Sequence, residues 1–153
     1  MRSQARSVIV VLLPILLSCA SPVDLTIPDD DGRVLGTIEH YGDPVHVTIP
    51  ADVEKSQAFT IEVITYGGGC ISQGNTEVQV DGLEAVVAPY DHDVSYQLPE
   101  DTVCTAELRL FTHRASIRFD RIGTASVSVY GMKKPGREIV TRRYTVEVRG
   151  SDE

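Results

Sequence analysis

From Arg33 onward apolar and polar residues alternate with a period of two, and no stretch keeps a helical period for more than two turns. The alternation predicts strands over Val34 to His40, Val45 to Ile49, Ala58 to Tyr66, Thr76 to Val80, Leu83 to Pro89, Ala106 to Phe111, Arg114 to Phe119, Thr124 to Tyr130 and Glu138 to Val148. Thr, Val and Ile fill these runs, because side chains branched at Cβ suit a pleated surface. Turn-forming clusters separate them: Gly42-Asp43-Pro44, Gly67-Gly68-Gly69, Asp81-Gly82, Pro99-Glu100-Asp101 and Pro135-Gly136.

Two turns carry register information. Asp81-Gly82 predicts a two-residue type I′ turn, which pairs Val80 with Leu83, Val78 with Ala85 and Thr76 with Val87 on one mostly apolar face. The opposite face receives Gln79 with Glu84 and Glu77 with Val86, so turn and pattern agree. At Arg121-Ile122-Gly123 two outcomes stand. A three-residue hairpin would set Phe119 against Ala125 and Ile117 against Val127; otherwise the chain crosses here from one sheet to another. Lys133-Lys134-Pro135-Gly136-Arg137 joins the last two long strands.

Strands packed this densely, in about 120 residues, fit an all-β, antiparallel two-sheet sandwich, with a small antiparallel barrel as the alternative. The core is expected to draw on Phe59, Ile61, Val63, Val78, Val80, Leu83, Val87, Leu108, Leu110, Ile117, Phe119, Val127, Val129, Tyr144 and Val146. Gly123-Thr124-Ala125 followed by Val127 and Val129 resembles the late strand of bacterial immunoglobulin-like domains, and the resemblance implies an immunoglobulin-like sandwich.

The start of the chain has another character. Met1 to Ser7 carries Arg2 and Arg6 without an acid, and Val8 to Leu17 is apolar except for Pro14. A basic start before a short apolar run has the form of a secretory signal. The run is half of the ~20 residues needed to cross a bilayer, and nothing later is apolar enough to span. It ends in Leu16-Leu17-Ser18-Cys19, which resembles the lipobox of bacterial lipoproteins, though Leu17 is bulkier than the usual residue there. The resemblance implies cleavage after residue 18 and a diacylglyceryl group on the Cys19 thiol. Ala20 and Ser21 follow where Asp would retain the protein in the inner membrane, so the family's sorting rule implies the outer membrane. The other reading is an ordinary signal peptide that happens to contain a cysteine.

These boundaries divide the chain into a cleaved signal (1–18), a lipidated acidic tether (19–32), a β domain (33–149) and a short tail (150–153). The tether holds Pro22, Pro28 and Asp29-Asp30-Asp31-Gly32 against three aliphatic residues, Val23, Leu25 and Ile27. Thirteen flexible residues would reach roughly 20 Å. Asp29 to Gly32 lacks the spaced ligands and closing Glu of a calcium loop.

Charge sharpens the partner list. The whole chain carries 14 Lys+Arg against 22 Asp+Glu, net -8, and without Arg2 and Arg6 it carries -10. Phosphate backbones need clustered cations, so nucleic acid is excluded as the expected partner. The exception to the acidity is Lys133, Lys134, Arg137, Arg142 and Arg143, set against Glu138 alone. This basic end is either a contact patch for anionic lipid or an acidic envelope protein, or solvated charge that discourages edge-to-edge pairing.

Three cysteines are present. With Cys19 assigned to the lipid, Cys70 and Cys104 form an even pair in an exported chain and are expected to make a disulfide. It would close a 33-residue loop, Ile71 to Val103. No CxxC favours metal or redox chemistry instead.

Catalytic motifs are missing from the sequence. There is no HExxH, no GxSxG and no phosphate loop, since Gly67-Gly68-Gly69-Cys70 lacks the Lys-Ser/Thr step. The densest polar cluster is Tyr90-Asp91-His92-Asp93. Asp91, His92 and Asp93 are weak metal candidates, because in a strand the carboxylates project opposite to the imidazole and all three converge only in a turn. The competing reading is an exposed loop before Val94. No cofactor is expected. The leading expectation is therefore a non-catalytic, lipid-anchored envelope protein with a binding or structural β domain, attached to the membrane through Cys19. The alternative is a small-ligand or metal binder, or a hydrolase, built on Tyr90 to Asp93 with His113.

Overall fold

The computed structural model describes Asp29 and residues 31–150 of the 153-residue chain. Among these residues the protein is all-β: a mixed, open sheet of ten strands with one short 3-10 turn, Ser95–Gln97. The strands are β1 (Arg33–Leu35), β2 (Thr37–His40), β3 (Val47–Thr48), β4 (Asp52–Glu54), β5 (Ala58–Gly67), β6 (Ile71–Asp81), β7 (Glu84–Asp93), β8 (Arg109–Arg118), β9 (Gly123–Lys134) and β10 (Glu138–Arg149).

One wing of the sheet is β6, β7, β9, β10 and β4; the other is β8, β5 and β3. The β1–β2 segment joins them. β1 pairs with β7, and then at Thr37 the chain lies beside both Met132 of β9 and Tyr66 of β5. The expected single strand over Val34 to His40 is thus broken at Gly36. A Cβ there would lie 2.6 Å from the Thr65 methyl and 3.0 Å from Asp91 Oδ2, so glycine permits the close approach of three strands.

The wholly antiparallel sheet expected from the sequence is not what forms. The pairs β7–β9, β2–β9 and β4–β10 are parallel. Parallel neighbours need a crossover, and the chain from Val94 to Ile122, carrying β8, supplies one between β7 and β9. At Arg121–Gly123 the chain crosses rather than turning back: β8 pairs with β5, while β9 pairs with β10. No strand ladder joins β6 to β8, so the sheet does not close into a barrel.

The first hairpin keeps its expected faces but not its pairing. Val80 lies opposite Ala85 and Val78 opposite Val87, two residues further along β7 than an Asp81-Gly82 loop would give. The loop is Gly82-Leu83. Only Gly82 has positive φ, 61°, so the turn is of the II′ kind, with glycine at the first centre position. Because the slip is two residues, no side chain changes face.

One cluster of buried side chains draws on both wings: Ile61 and Val63 from β5, Ala115 and Ile117 from β8, Phe119 just beyond it, and Ala85, Val87, Ala125, Val127, Val129, Val146 and Val148 from β7, β9 and β10. Phe59, Val78, Leu83 and Tyr144 pack against it from partly buried positions. Three expected core residues face solvent instead: Val80, Leu108 and Leu110, the last 61% exposed. For Leu110 the reason is parity. β8 is a single strand without a break at Thr112-His113, so placing Ala115 and Ile117 inward forces His113 inward and Leu110 outward.

Candidate functional site

The same parity builds a polar corner. On the inward face β5 runs Phe59, Ile61, Val63, Thr65; β7 runs Ala85, Val87, Pro89, Asp91; and β8, read backward, runs Ile117, Ala115, His113. Each strand passes from hydrocarbon to a polar group at one level, where the strands converge beside Gly36. There His113 Nε2 lies 3.1 Å from Asp91 Oδ1 and 3.1 Å from Thr65 Oγ1, and His113 Nδ1 lies 3.1 Å from Thr76 Oγ1. A carboxylate only accepts, so the Asp91 contact places a proton on Nε2. In the neutral ring, Nδ1 then accepts from the Thr76 hydroxyl.

This corner is sealed. The His113 side chain is fully buried, Asp91 retains 2% of its surface, and Thr65 retains none. Every buried side-chain nitrogen and oxygen among the described residues has a hydrogen-bond partner. Such a network ties β5, β6, β7 and β8 together, and it leaves no open face from which a substrate would meet the imidazole. Sequence reasoning named Asp91 and His113 but missed Thr65 and Thr76. The signal for Thr65 was its place in the inward series Phe59, Ile61, Val63.

The remaining residues of the Tyr90 to Asp93 segment do not join them. The segment lies in β7, which runs on to Asp93, so it is neither a turn nor an exposed loop. His92 faces the opposite side from Asp91 and lies across from Arg33 of β1. Asp93 borders a cavity of about 30 Å³, with Asp91, Ile71, Met132, Lys134 and Arg137. Among the described residues no three His, Cys, Asp or Glu side chains gather as a metal site. Tyr90 lies on the outer face under the Arg33 guanidinium, 3.5 Å from its ring centroid. Burial pushes its phenol pKa up, the Glu77 carboxylate adds to this, and Arg33 pulls it back.

Cys70 and Cys104 are bonded as a disulfide, with Cα atoms 5.3 Å apart. The bond anchors the segment after the 3-10 turn beside the start of β6, where Val94 N–H also donates to the Cys70 carbonyl. Cys19 lies outside the described residues.

The basic end is less free than its sequence suggests. Glu39 of β2, remote in sequence, pairs with Lys133 at 3.3 Å and accepts a hydrogen bond from Arg142. Parallel pairing of β2 with β9 brings it there. Arg143, the neighbour of Arg142 in β10, projects from the other face, and Lys134 and Arg137 line the small cavity beside Asp93. The five cations therefore do not form one patch.

Two open depressions lie on the surface of the described residues. A broad cleft of about 510 Å³ is lined by Pro50, Asp52, Glu54, Gln57, Phe59 and Arg149, among others. A trough of about 210 Å³ lies on the outer face of β1, β6, β7 and β9. Comparison with protein-family models, with curated proteins and with solved structures finds no match.

Proposed function

We propose that this chain is an exported, lipid-anchored envelope protein, held in the outer membrane through Cys19, whose β domain binds or supports another envelope component without catalysis. The observation that carries the reading is the allocation of the three cysteines. Cys70 and Cys104 are joined to each other, which suits an oxidising compartment, and the one cysteine left is the one in Leu16-Leu17-Ser18-Cys19. Two or three acyl chains anchor a protein firmly, where a single chain is marginal. The non-catalytic part is supported by the sealing of the Asp91–His113 pair, which keeps that imidazole out of a substrate's reach.

The finer architecture belongs to the same reading. The two wings fold face to face as a two-sheet, immunoglobulin-like sandwich, supported by a core cluster to which both wings contribute.

Metabolic labelling with palmitate tests the anchor. The parent incorporates label and fractionates with outer membrane, while Cys19→Ala incorporates none. Equal labelling of the two would overturn the assignment. Non-catalytic binding is tested by in-cell cross-linking, which should return one envelope partner in defined stoichiometry.

A further inference from the structure

The last strand has an edge that the rest of the described fold leaves open. β10 pairs with β9 from Glu138 to Val148 without a register shift, but β4 holds its other side only from Glu147 to Arg149. Backbone direction over the remainder follows by alternation. Glu147 N–H donates to the Ala51 carbonyl, and Lys55 N–H donates to the Arg149 carbonyl. The odd-numbered residues of β10 therefore turn their amides and carbonyls to the β4 side. Beyond the end of β4 these groups belong to Ile139, Thr141, Arg143 and Thr145, and among the described residues no strand meets them. All four residues are exposed, Ile139 at 47%.

Unpaired edges invite another strand, and folds guard them by shortness, bulges or charge. β1, β3 and β4 are guarded by shortness, with three, two and three residues. β6 is bent by a bulge between Gln73 and Thr76, and the Gln73 amide there reaches across to the Thr112 carbonyl of β8. The free stretch of β10 is neither short nor bulged. Arg142, the cation on its core-side face, is already held by Glu39 and so does not repel an incoming strand.

From these features we infer that β10 is a self-association strand: residues 138–144 pair antiparallel with the same residues of a second copy, about a two-fold axis at Thr141. Register follows from backbone direction and charge. Hydrogen-bonded pairs need outward groups on both strands, so odd residues oppose odd ones and the axis falls on a residue. An axis at Thr141, Arg142 or Arg143 overlaps most of the stretch. At Arg142 or Arg143 it sets two guanidinium groups face to face. At Thr141 it opposes Thr141 with Thr141, Ile139 with Arg143, Val140 with Arg142 and Glu138 with Tyr144. No like charges then oppose each other, and Thr–Thr pairs stabilise antiparallel ladders. The Arg143 stem covers the exposed Ile139 side chain, and Glu138 lies diagonal to Arg142 of the other copy, twice by symmetry. A ladder of this length lies at the low end of interface sizes, so the dimer is concentration-dependent. The pairing goes beyond the anchoring proposed above and does not depend on it.

Cysteine substitution in the whole chain, expressed in cells, tests the pairing. Hydrogen-bonded opposed residues lie about 5.5 Å apart at Cα, within disulfide range, so Thr141→Cys should link two copies. Thr145→Cys, also exposed on β10, lies four residues from the axis and about 26 Å from its counterpart. It should link at least about tenfold less. The parent measured beside them reports any link through Cys19, so failure of the anchor is read separately. Equal yields from the two variants, or a link from Thr141→Cys to a protein of another mass, overturn the proposal. Sedimentation of the purified protein supplies a second readout. The Thr141 N–H faces the open edge and not β9, so Thr141→Pro leaves the β9 ladder whole. It should turn a concentration-dependent dimer into a monomer with circular dichroism unchanged. A parent that is monomeric at every concentration, or a dimer that survives Thr141→Pro, likewise overturns it. If the proline variant does not fold, the cysteine comparison decides alone.

Discussion

The two ends of the inward face are built on opposite principles although the same strands build them. At one end Phe119, Ile117, Ile61, Val127 and Val146 meet with almost no exposed surface, and burial of hydrocarbon holds them. At the other, Thr65, Asp91, Thr76 and His113 hold one another by hydrogen bonds, with the Cys70–Cys104 bond close by. The difference teaches what each end tolerates. Hydrocarbon packing is non-directional and loses stability in proportion to the volume removed. A buried polar set is directional, and removing one member strands the rest.

Asp91→Ala should therefore have the largest effect of any single substitution. It leaves His113 without its carboxylate in a sealed site, and the expected loss is about 3–5 kcal/mol. Denaturant unfolding followed by circular dichroism measures it. The comparison is sharpened by the double variant Asp91→Leu, His113→Leu, which removes both partners and should recover most of the loss. A double variant no better than the single would mean that Thr65 and Thr76 alone demand the polar corner.

Opening the disulfide comes next. Replacing Cys70 and Cys104 together by serine frees a 33-residue loop and should cost roughly 3–4 kcal/mol on the chain-entropy model. The loss should appear chiefly at the polar corner. Hydrogen exchange should quicken in β6 and the start of β8 before it quickens in β9. Uniform quickening would show that the two ends unfold as one unit.

A matched pair of small changes separates the two ends most cleanly. Thr65→Val swaps a hydroxyl for a methyl at the corner and should cost about 1–3 kcal/mol, because it leaves a buried hydrogen-bonding atom short of a partner. Ile61→Val, two residues earlier on the same face, removes one methylene from the apolar end and should cost about 0.5–1.5 kcal/mol. The order of the two midpoints is the test, and a reversal would break the contrast.

How much of this was legible depends on the range of the cause. β5, β9 and β10 were readable within a few residues because alternation is local, and the disulfide followed from parity of count once Cys19 was set aside. The two expected strands over Ala106 to Phe111 and Arg114 to Phe119 were not readable as the single β8. Their patterns disagree on which face is apolar, and only pairing along the whole of β5 settles it. That settlement moves Leu110 out and His113 in, so the polar corner was invisible for the same reason. β4 was missed because three residues, Asp52–Glu54, carry no period, and they form a strand only by lying beside Glu147, Val148 and Arg149. Glu39 could not be matched to Lys133 and Arg142 because parallel pairing of β2 with β9 is a crossover property, absent from any local window.

Glu39 also supplies the smallest effect and the last test of the comparison. Like Asp91 it is a carboxylate held by N–H groups of other strands, but its side chain keeps 15% of its surface, and those of Lys133 and Arg142 keep 42% and 43%. Water and salt reach this cluster, so the Coulombic gain is screened and long side chains must be ordered to obtain it. Glu39→Gln should cost about 1 kcal/mol or less. The difference from the parent should shrink further in 1 M salt, where screening acts over about 3 Å. Asp91→Ala should keep its full cost in the same salt, because the corner excludes ions. If both losses fell together with salt, burial would not be what distinguishes the two carboxylates, and the polar corner would have to open to solvent on the timescale of unfolding.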